Sequence, residues 1–246
     1  MEALKTLIKW IQESDNLVFF GGAGVSTESN IPDFRSSVGL YSTTYGKFSP
    51  EMILSRTFFH SHTKDFFRFY RDKMLYPEAR PNEAHKALAK LENLGKLKAV
   101  ITQNIDGLHQ DAGSVRVLEL HGSVRNNRCM ACNEEYDLDY ICSFEDIPYC
   151  KLCNNIVKPV VTLYEEALDM EVLERSIQAV NDCDVLIVGG TSLQVYPAAS
   201  LTRYYRGNKL VLINMDPTPY DSRADLLIHG RIGEVLKQAV SSLESH

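Results

Sequence analysis

Residues 184–190 read DVLIVGG: one acid, the apolar run Val185-Leu186-Ile187-Val188, then Gly189 and Gly190. A short, β-branched apolar run bounded by turn residues is the pattern of a strand buried on both faces. The glycines end it, and TSLQVYP (191–197) leads into a helix expected near 197–206. Outward from this strand the same alternation recurs. A helical pattern over about 168–180 precedes it. KLVLIN (209–214) and DLLIHG (225–230) follow as strands, with a closing helix from about 231. Toward the N-terminus, a helix over about 3–14 places Leu4, Leu7, Ile8 and Ile11 on one face. NLVFF (16–20) then runs as a strand into a glycine loop. PNEAHKALAKLENLGK (81–96) is a helix with Pro81 at its start and Gly95 at its end. LKAVITQN (97–104) and VRVLELHG (115–122) read as two further strands.

Strands separated by helices, with continuous rather than alternating apolar runs, predict an α/β fold with a parallel sheet covered on both faces. Ligands of such sheets sit beyond the carboxyl ends of the strands. The polar clusters GGAGVST (21–27), TQNIDGLH (102–109), LHGS (120–123), GGTS (189–192) and INMD (213–216) all fall there. One compositional break, about 122–158, is poor in long apolar runs and rich in Cys, Asn and acids, and reads as an inserted module.

The bulk numbers restrict the class of protein. A chain of 246 residues with 44% hydrophobic and 24% charged residues can form one large domain with a small insert. The net charge of −6, with no clustered Lys or Arg, argues against a non-specific nucleic-acid grip. No stretch reaches the apolar length of a membrane span, and the amphipathic N-terminus is unlike a signal peptide. A cytoplasmic location follows as the expectation. In that reducing compartment the six cysteines are metal ligands or free thiols.

Four of the six form two C-x2-C pairs, Cys129/Cys132 and Cys150/Cys153, separated by residues 133–149. Two such pairs can supply four thiolates to one tetrahedral zinc, whereas redox C-x-x-C motifs come singly. Four protein ligands close the coordination sphere, so the metal is structural, and it would help fold a thinly apolar module. Cys142 and Cys183 are left as buried or free thiols. Acids outnumber Arg125, Arg128 and Lys151 around the ribbon, which disfavours DNA binding.

Two glycine loops suit a dinucleotide. Gly22-Ala23-Gly24 follows a strand and can cradle phosphate on backbone N–H groups. The hydride-transfer fingerprint would place a third glycine at Thr27, and Pro32 interrupts the helix that should follow. The second loop, Gly189 to Ser192, precedes Asn214 and Asp216 by about one strand–helix–strand unit, where a ribose hydroxyl is usually held. Asp33, Phe34 and Arg35 begin a proline-interrupted segment that ends near Gly46 and reads as a lid. Gln103, Asn104 and Asp106 end a strand at the same ligand edge. His121 follows the next strand end, beside Gly122, and is the candidate proton acceptor. His60, His62, His85, His109, His229 and His246 read as structural or surface groups.

GAGVS (22–26), IPDFR (31–35), TQNIDGLH (102–109), LHG (120–122), the paired C-x2-C motifs and GTS (190–192) together resemble the sirtuin family of NAD-dependent protein deacylases, in its bacterial form, over essentially the whole chain. The resemblance implies a Rossmann-like domain (1–35, 81–121 and 159–246), a lid and helical part (36–80) and a zinc-ribbon module (122–158). It implies NAD as a consumed co-substrate and one structural Zn2+. Ala23, Gly24, Thr27, Phe34 and Arg35 would bind NAD in and after the first loop. Gln103 and Asn104 would hold its ribose, Ile105 and Asp106 its nicotinamide, and Thr191, Ser192, Asn214 and Ile232 its adenosine end. The acyl-lysine oxygen would displace nicotinamide, with Asn104 and His121 catalytic. His121 as general base would activate a ribose hydroxyl to attack the alkylimidate, yielding free lysine and O-acetyl-ADP-ribose. Acyl-lysine protein substrates would add as a strand between the two domains.

Two departures from the family pattern stand out. Leu163-Tyr164 followed by Glu165-Glu166 replaces an aromatic pair followed by Gly-Glu, and Gly21 replaces a threonine. The family's acidic-acyl members carry a Tyr-x-x-Arg pair that TKDFFRFYRDKML (63–75) lacks, so acetyl or other neutral acyl groups are expected. An NAD glycohydrolase or mono-ADP-ribosyltransferase using the same site, and an NAD-sensing module without activity, are the alternative readings.

Overall fold

The computed structural model describes residues 2–34, 36, 39–42 and 45–243. Arg35, Ser37, Val38, Thr43 and Thr44 of the expected lid, and the C-terminal His246, lie outside the described residues. Helix α1 (Glu2–Glu13) buries Leu7 and Ile11, one turn apart, and leads into β1 (Leu17–Gly21), which is buried throughout. The other strands of the main sheet are β2 (Leu97–Thr102), β3 (Val117–Glu119), β7 (Val185–Gly189), β8 (Leu210–Asn214) and β9 (Leu226–His229). All pair in parallel, in the order β3-β2-β1-β7-β8-β9.

Alternate residues of each strand face opposite sides, so each face needs its own cover. On one face, Leu17, Phe19, Val100, Ile187 and Ile213 pack with α1, α5 (Glu83–Asn93) and α9 (Ile232–Ser241). On the other, Val18, Phe20, Ile101, Val188 and Leu212 pack with α8 (Met170–Asp182) and residues 198–204. Caps set the helix starts. Asn82, not Pro81, begins α5, its side chain accepting from Ala84 N–H. Asp169 accepts from Glu171 and Val172 N–H at the start of α8; each such cap contributes about 1 kcal/mol.

A third core belongs to the smaller part of the molecule. It combines α2 (Pro50–Ile53), α3 (Arg56–Ser61) and α4 (Thr63–Lys73) with a small antiparallel sheet. That sheet runs β5-β4-β6, from β4 (Gly122–Cys129), β5 (Glu135–Tyr136) and β6 (Val157–Val161). Phe58, Phe59, Phe66, Phe67, Phe69 and Tyr70 fill the helical half; Cys129, Ile141 of α7 (Leu138–Cys142), Cys150 and Val157 fill the other. The helices and the ribbon therefore share one core. A short helix α6 (Leu108–Asp111) follows the β2 loop.

Two elements differ from the sequence reading. Residues 115–122 form a strand only over Val117–Glu119, because the chain leaves the main sheet at His121. Gly122, at φ +73°, turns it into β4; a Cβ there would sit 2.0 Å from the Val160 carbonyl oxygen. Residues 198–204 form a 3-10 helix rather than an α-helix. The Ser200 and Thr202 hydroxyls donate to carbonyls three residues back, which favours the tighter turn.

Candidate active site

The strand order places the topological switch between β1 and β7, where connections depart in opposite directions and leave a crevice at the carboxyl ends. Both glycine loops meet there. Gly21 pairs with Gly189, and Gly24 N–H donates to the Gly190 carbonyl at 2.8 Å. A Cβ on Gly24 would lie 2.8 Å from Gly190 Cα, and Gly190 itself sits at φ +61°. These contacts require glycine, and they leave a surface of bare backbone suited to phosphate oxygens. The loop is held from behind: Asn82 Nδ2 donates to the Val25 carbonyl and to Ser29 Oγ, and Glu28 accepts from Gly233 N–H at the start of α9.

At the ends of β2 and β3 the polar side chains form one network. Gln103 N–H donates to the Gly21 carbonyl, and its Nε2 to Thr191 Oγ1 at 3.0 Å. Asn104 Nδ2 donates to Ser26 Oγ at 2.9 Å, and Ser26 Oγ donates to Asp106 Oδ2 at 2.7 Å. Asp106 Oδ1 accepts from Leu108 N–H. His121 Nδ1 lies 3.0 Å from the Gln103 carbonyl, which can only accept; Nδ1 therefore carries the proton and Nε2 has a free lone pair. Burial lowers the His121 pKa below its ordinary value, opposed by that carbonyl, so the ring is neutral near pH 7.

A cleft of about 530 Å³ brings these residues together. Ala23, Gly24, Thr27, Phe34, Gln103, Asn104, Ile105, His121, Thr191, Ser192, Asn214 and Ile232 all line it. Asp106 is not among the lining residues; it lies behind Ser26, which it orients. Arg35 lies outside the described residues. Asn214 Oδ1 accepts from Thr191 N–H, and its Nδ2 is buried with no hydrogen-bond partner. An unsatisfied donor beside a glycine cradle fits a ribose oxygen, and the site fits a dinucleotide.

Several site residues carried no sequence signal. Ser26 stands inside GAGVS, but its place as a hub arises only when β1 and β2 pair. Tyr41 Oη meets Tyr164 Oη at 2.5 Å, joining the lid to the segment after β6. Glu165, at φ +72°, accepts from Thr57 N–H and Oγ1, and Glu166 pairs with Lys158 at 3.2 Å. Thus Tyr164 and Glu165, which both belong to the first of the departures noted above, are engaged.

The four ribbon thiols also converge. Their Sγ atoms all lie within 4.8 Å of one another, with Cys129–Cys153 at 3.4 Å and Cys132–Cys150 at 3.5 Å. Tetrahedral zinc with bonds of about 2.3 Å requires sulfur spacings of about 3.8 Å, so the donor set fits the ion. Cys142 and Cys183 are free and apart from it.

Fold and site together define an α/β dinucleotide-binding protein with a neutral histidine at the ligand edge and a structural metal ribbon. Residues 22–197 match the model of the Sir2 family. An NAD-dependent protein deacetylase of Clostridium tetani is 58% identical over 99% of both chains, and one of Clostridium acetobutylicum 56% identical over 98% of this chain and 99% of its own. A solved Sir2 structure with deacetylated p53 peptide and 3'-O-acetyl ADP-ribose superposes with TM-score 0.89, at 38% identity, over 97% of this chain and 98% of that one. A Sir2–p53 peptide–NAD+ structure superposes with TM-score 0.86, at 37% identity, over 99% of each chain. The chain belongs to the Sir2 family of sirtuins.

Proposed function

We propose that the protein is an NAD-dependent protein lysine deacetylase whose reaction takes place in the cleft at the β1/β7 switch point. The observation that carries this reading is the convergence, in one cleft, of the paired glycine loops with the free Nε2 of His121 and the Asn104–Ser26–Asp106 network. In the reaction the acyl-lysine oxygen displaces nicotinamide from the ribose of NAD, and one water then completes the transfer, giving deacylated lysine, nicotinamide and O-acetyl-ADP-ribose.

The residues have distinct tasks. Gly22 to Gly24 with Thr27 hold the phosphates, and Thr191, Ser192, Asn214 and Ile232 the adenosine end. Gln103 and Asn104 orient the reacting ribose, Ile105 and Asp106 the nicotinamide side, Asp106 acting through Ser26. Phe34, which lines the cleft, shields the reacting face, and Arg35, outside the described residues, is assigned to the phosphate side by the family resemblance alone. His121 Nε2 takes the proton of a ribose hydroxyl, and the Gln103 carbonyl fixes the tautomer that allows it. The substrate peptide adds as a strand against residues 163–166 and 194–196, which both line the cleft. Cys129, Cys132, Cys150 and Cys153 would hold one zinc ion that fixes the ribbon and stays out of the chemistry. We read residues 1–35, 81–121 and 159–246 as the dinucleotide-binding domain, 36–80 as lid and helical part, and 122–158 as the ribbon.

The net charge of −6 supports protein rather than nucleic-acid partners. Among the described residues no helix is long and apolar enough to cross a membrane. We place the activity in the cytoplasm, as the cysteine usage suggests.

The test is His121→Ala. Losing a general base costs about 10²–10⁴ in rate. Deacetylation should fall by that factor while exchange of labelled nicotinamide into NAD persists. Equal loss of both would remove His121 from the base role. Retained deacetylation would refute the assignment outright.

A further inference from the structure

The four ribbon sulfurs differ in their surroundings. Cys129 and Cys150 are buried, whereas Cys132 and Cys153 are exposed. The backbone N–H groups of Ala131 and Leu152 donate to Cys129 and Cys150 at 3.5 and 3.4 Å, each from two residues on in the same C-x2-C turn. Cys150 receives one donor more: Tyr136 Oη lies 3.2 Å from its Sγ. Among the described residues, Tyr136 is the only side chain other than the cysteines themselves that reaches a ribbon sulfur.

The phenol is held for this contact. Tyr136 ends β5 and stands opposite Asn127 of β4. Its ring stacks on Tyr140 of α7, with centroids 4.2 Å apart and planes within 23°. Its oxygen also accepts from Lys151 N–H at 2.9 Å. A backbone N–H can only donate, so the phenol's own proton is directed at the sulfur. Tyr140 acts beside it, its hydroxyl donating to the Tyr149 carbonyl at 2.6 Å. Two phenols of the β5–α7 segment thus grip residues 149–151, where the second cysteine pair begins, but only Tyr136 touches a sulfur. Four thiolates outweigh one dication, so such a centre keeps excess negative charge, and a hydroxyl aimed at a thiolate relieves it. Phenylalanine would stack on Tyr140 equally well and leave that charge unrelieved.

We propose that Tyr136 is a positioning residue of the zinc centre: its hydroxyl donates to the Cys150 thiolate, fixes the orientation of that ligand and slows loss of the metal. Outer partners of this kind tune a metal site through the ligands they touch. The inference rests on the reading of the four cysteines as one zinc site and is independent of the deacylase reading. Tyr136 takes no part in the chemistry at the cleft.

The experiment loads the full chain with zinc or with cobalt(II), as wild type, Tyr136→Phe and Tyr140→Phe. Transfer of zinc to an excess of a chromogenic chelator gives the release rate. Loss of an outer partner costs about 10–100-fold in metal affinity, so Tyr136→Phe should release zinc about tenfold faster or more. Tyr140→Phe, which loses a neighbouring hydroxyl that touches no sulfur, should release it at nearly the wild-type rate. In the cobalt(II) protein the sulfur-to-cobalt charge-transfer band should move to longer wavelength in Tyr136→Phe, because a thiolate without its hydrogen bond gives up electrons more easily. The band should stay in place in Tyr140→Phe. An unmoved band or an unchanged release rate in Tyr136→Phe overturns the proposal, as does an equal change in both variants, which would signify a general loosening of the ribbon. Labelling the wild type with 3-fluorotyrosine needs no variant to fold. It keeps every ring and strengthens each phenol as a donor, so the band should move to shorter wavelength, and an unmoved band overturns the proposal too. Failure of the wild type to bind either metal would instead sink the zinc-site reading.

Discussion

Lowering the pH from 7.5 to 5 should destabilise the fold by about 4 kcal/mol through two histidines outside the cleft. His85 and His109 are 0% and 1% exposed, with ring centroids 4.7 Å apart. His85 Nδ1 accepts from Asn82 N–H, but its Nε2 and both His109 nitrogens have no partner among the described residues. Burial lowers His85 to about 4, opposed by Asp106 and Asp111, and lowers His109 to about 3, reinforced by His85. Both rings are therefore neutral in the folded protein at pH 5, whereas in the unfolded chain they titrate near 6.5. A depressed folded pKa gives stability that is present above about 6.5 and is lost as pH falls toward the folded values, because only the unfolded chain takes up protons. At pH 5 each group lies about 1.5 units below its unfolded pKa, about 2 kcal/mol apiece at 1.36 kcal/mol per unit. Ordinary carboxylates add little above pH 5, since their unfolded values lie near 4. Urea unfolding of wild type and His109→Phe at both pH values measures the effect. The variant, which packs a ring of similar shape against Phe19 and His85, should lose about 2 kcal/mol less stability over this pH range than wild type. Equal losses in the two proteins would refute the reasoning.

Other outcomes follow from the site. Gly24→Ala drives a Cβ to within 2.8 Å of the Gly190 backbone, a contact no rotamer can relieve; it should cost about 1–3 kcal/mol of stability and weaken NAD binding, read by urea unfolding and calorimetry. Zinc removal by a strong chelator should loosen the ribbon and, because Cys129 and Cys150 share a core with α3 and α4, also lower the melting temperature of the helical part. Unchanged melting would separate the two. The acid limb of kcat/KM should lie below 6.5, because burial lowers His121; a limb above 6.5 would contradict the neutral, buried base.

What the sequence disclosed and what it hid have physical reasons. Buried parallel strands advertise themselves as continuous apolar runs, so β1, β2, β7 and β8 were all legible, as was the apolar run of the half-buried edge strand β9, and with them the strand ends that bear the cleft. Paired C-x2-C spacing is a local property, and it located the four thiols that converge. The end of β3 was not legible, because the chain leaves the sheet at His121 through a turn whose demand for glycine comes from Val160, remote in sequence. The 3-10 helix at 198–204 was hidden for a similar reason: its apolar positions suit either helix, and serine and threonine hydroxyls decide between them. Ser26 and the Tyr41–Tyr164 pair needed the fold, since their significance lies in partners found across long stretches of chain. His85 and His109 read as structural histidines, and both are buried against the sheet, but their pairing could not be inferred from positions so far apart.

The most direct test of the central claim is mass spectrometry of an acetyl-lysine peptide incubated with the protein, with and without NAD. The account predicts deacetylation only with NAD, with nicotinamide and O-acetyl-ADP-ribose formed in step with the free lysine. Loss of NAD to free ADP-ribose while the peptide stays acetylated would contradict it and establish a glycohydrolase; ADP-ribose attached to protein would establish a transferase.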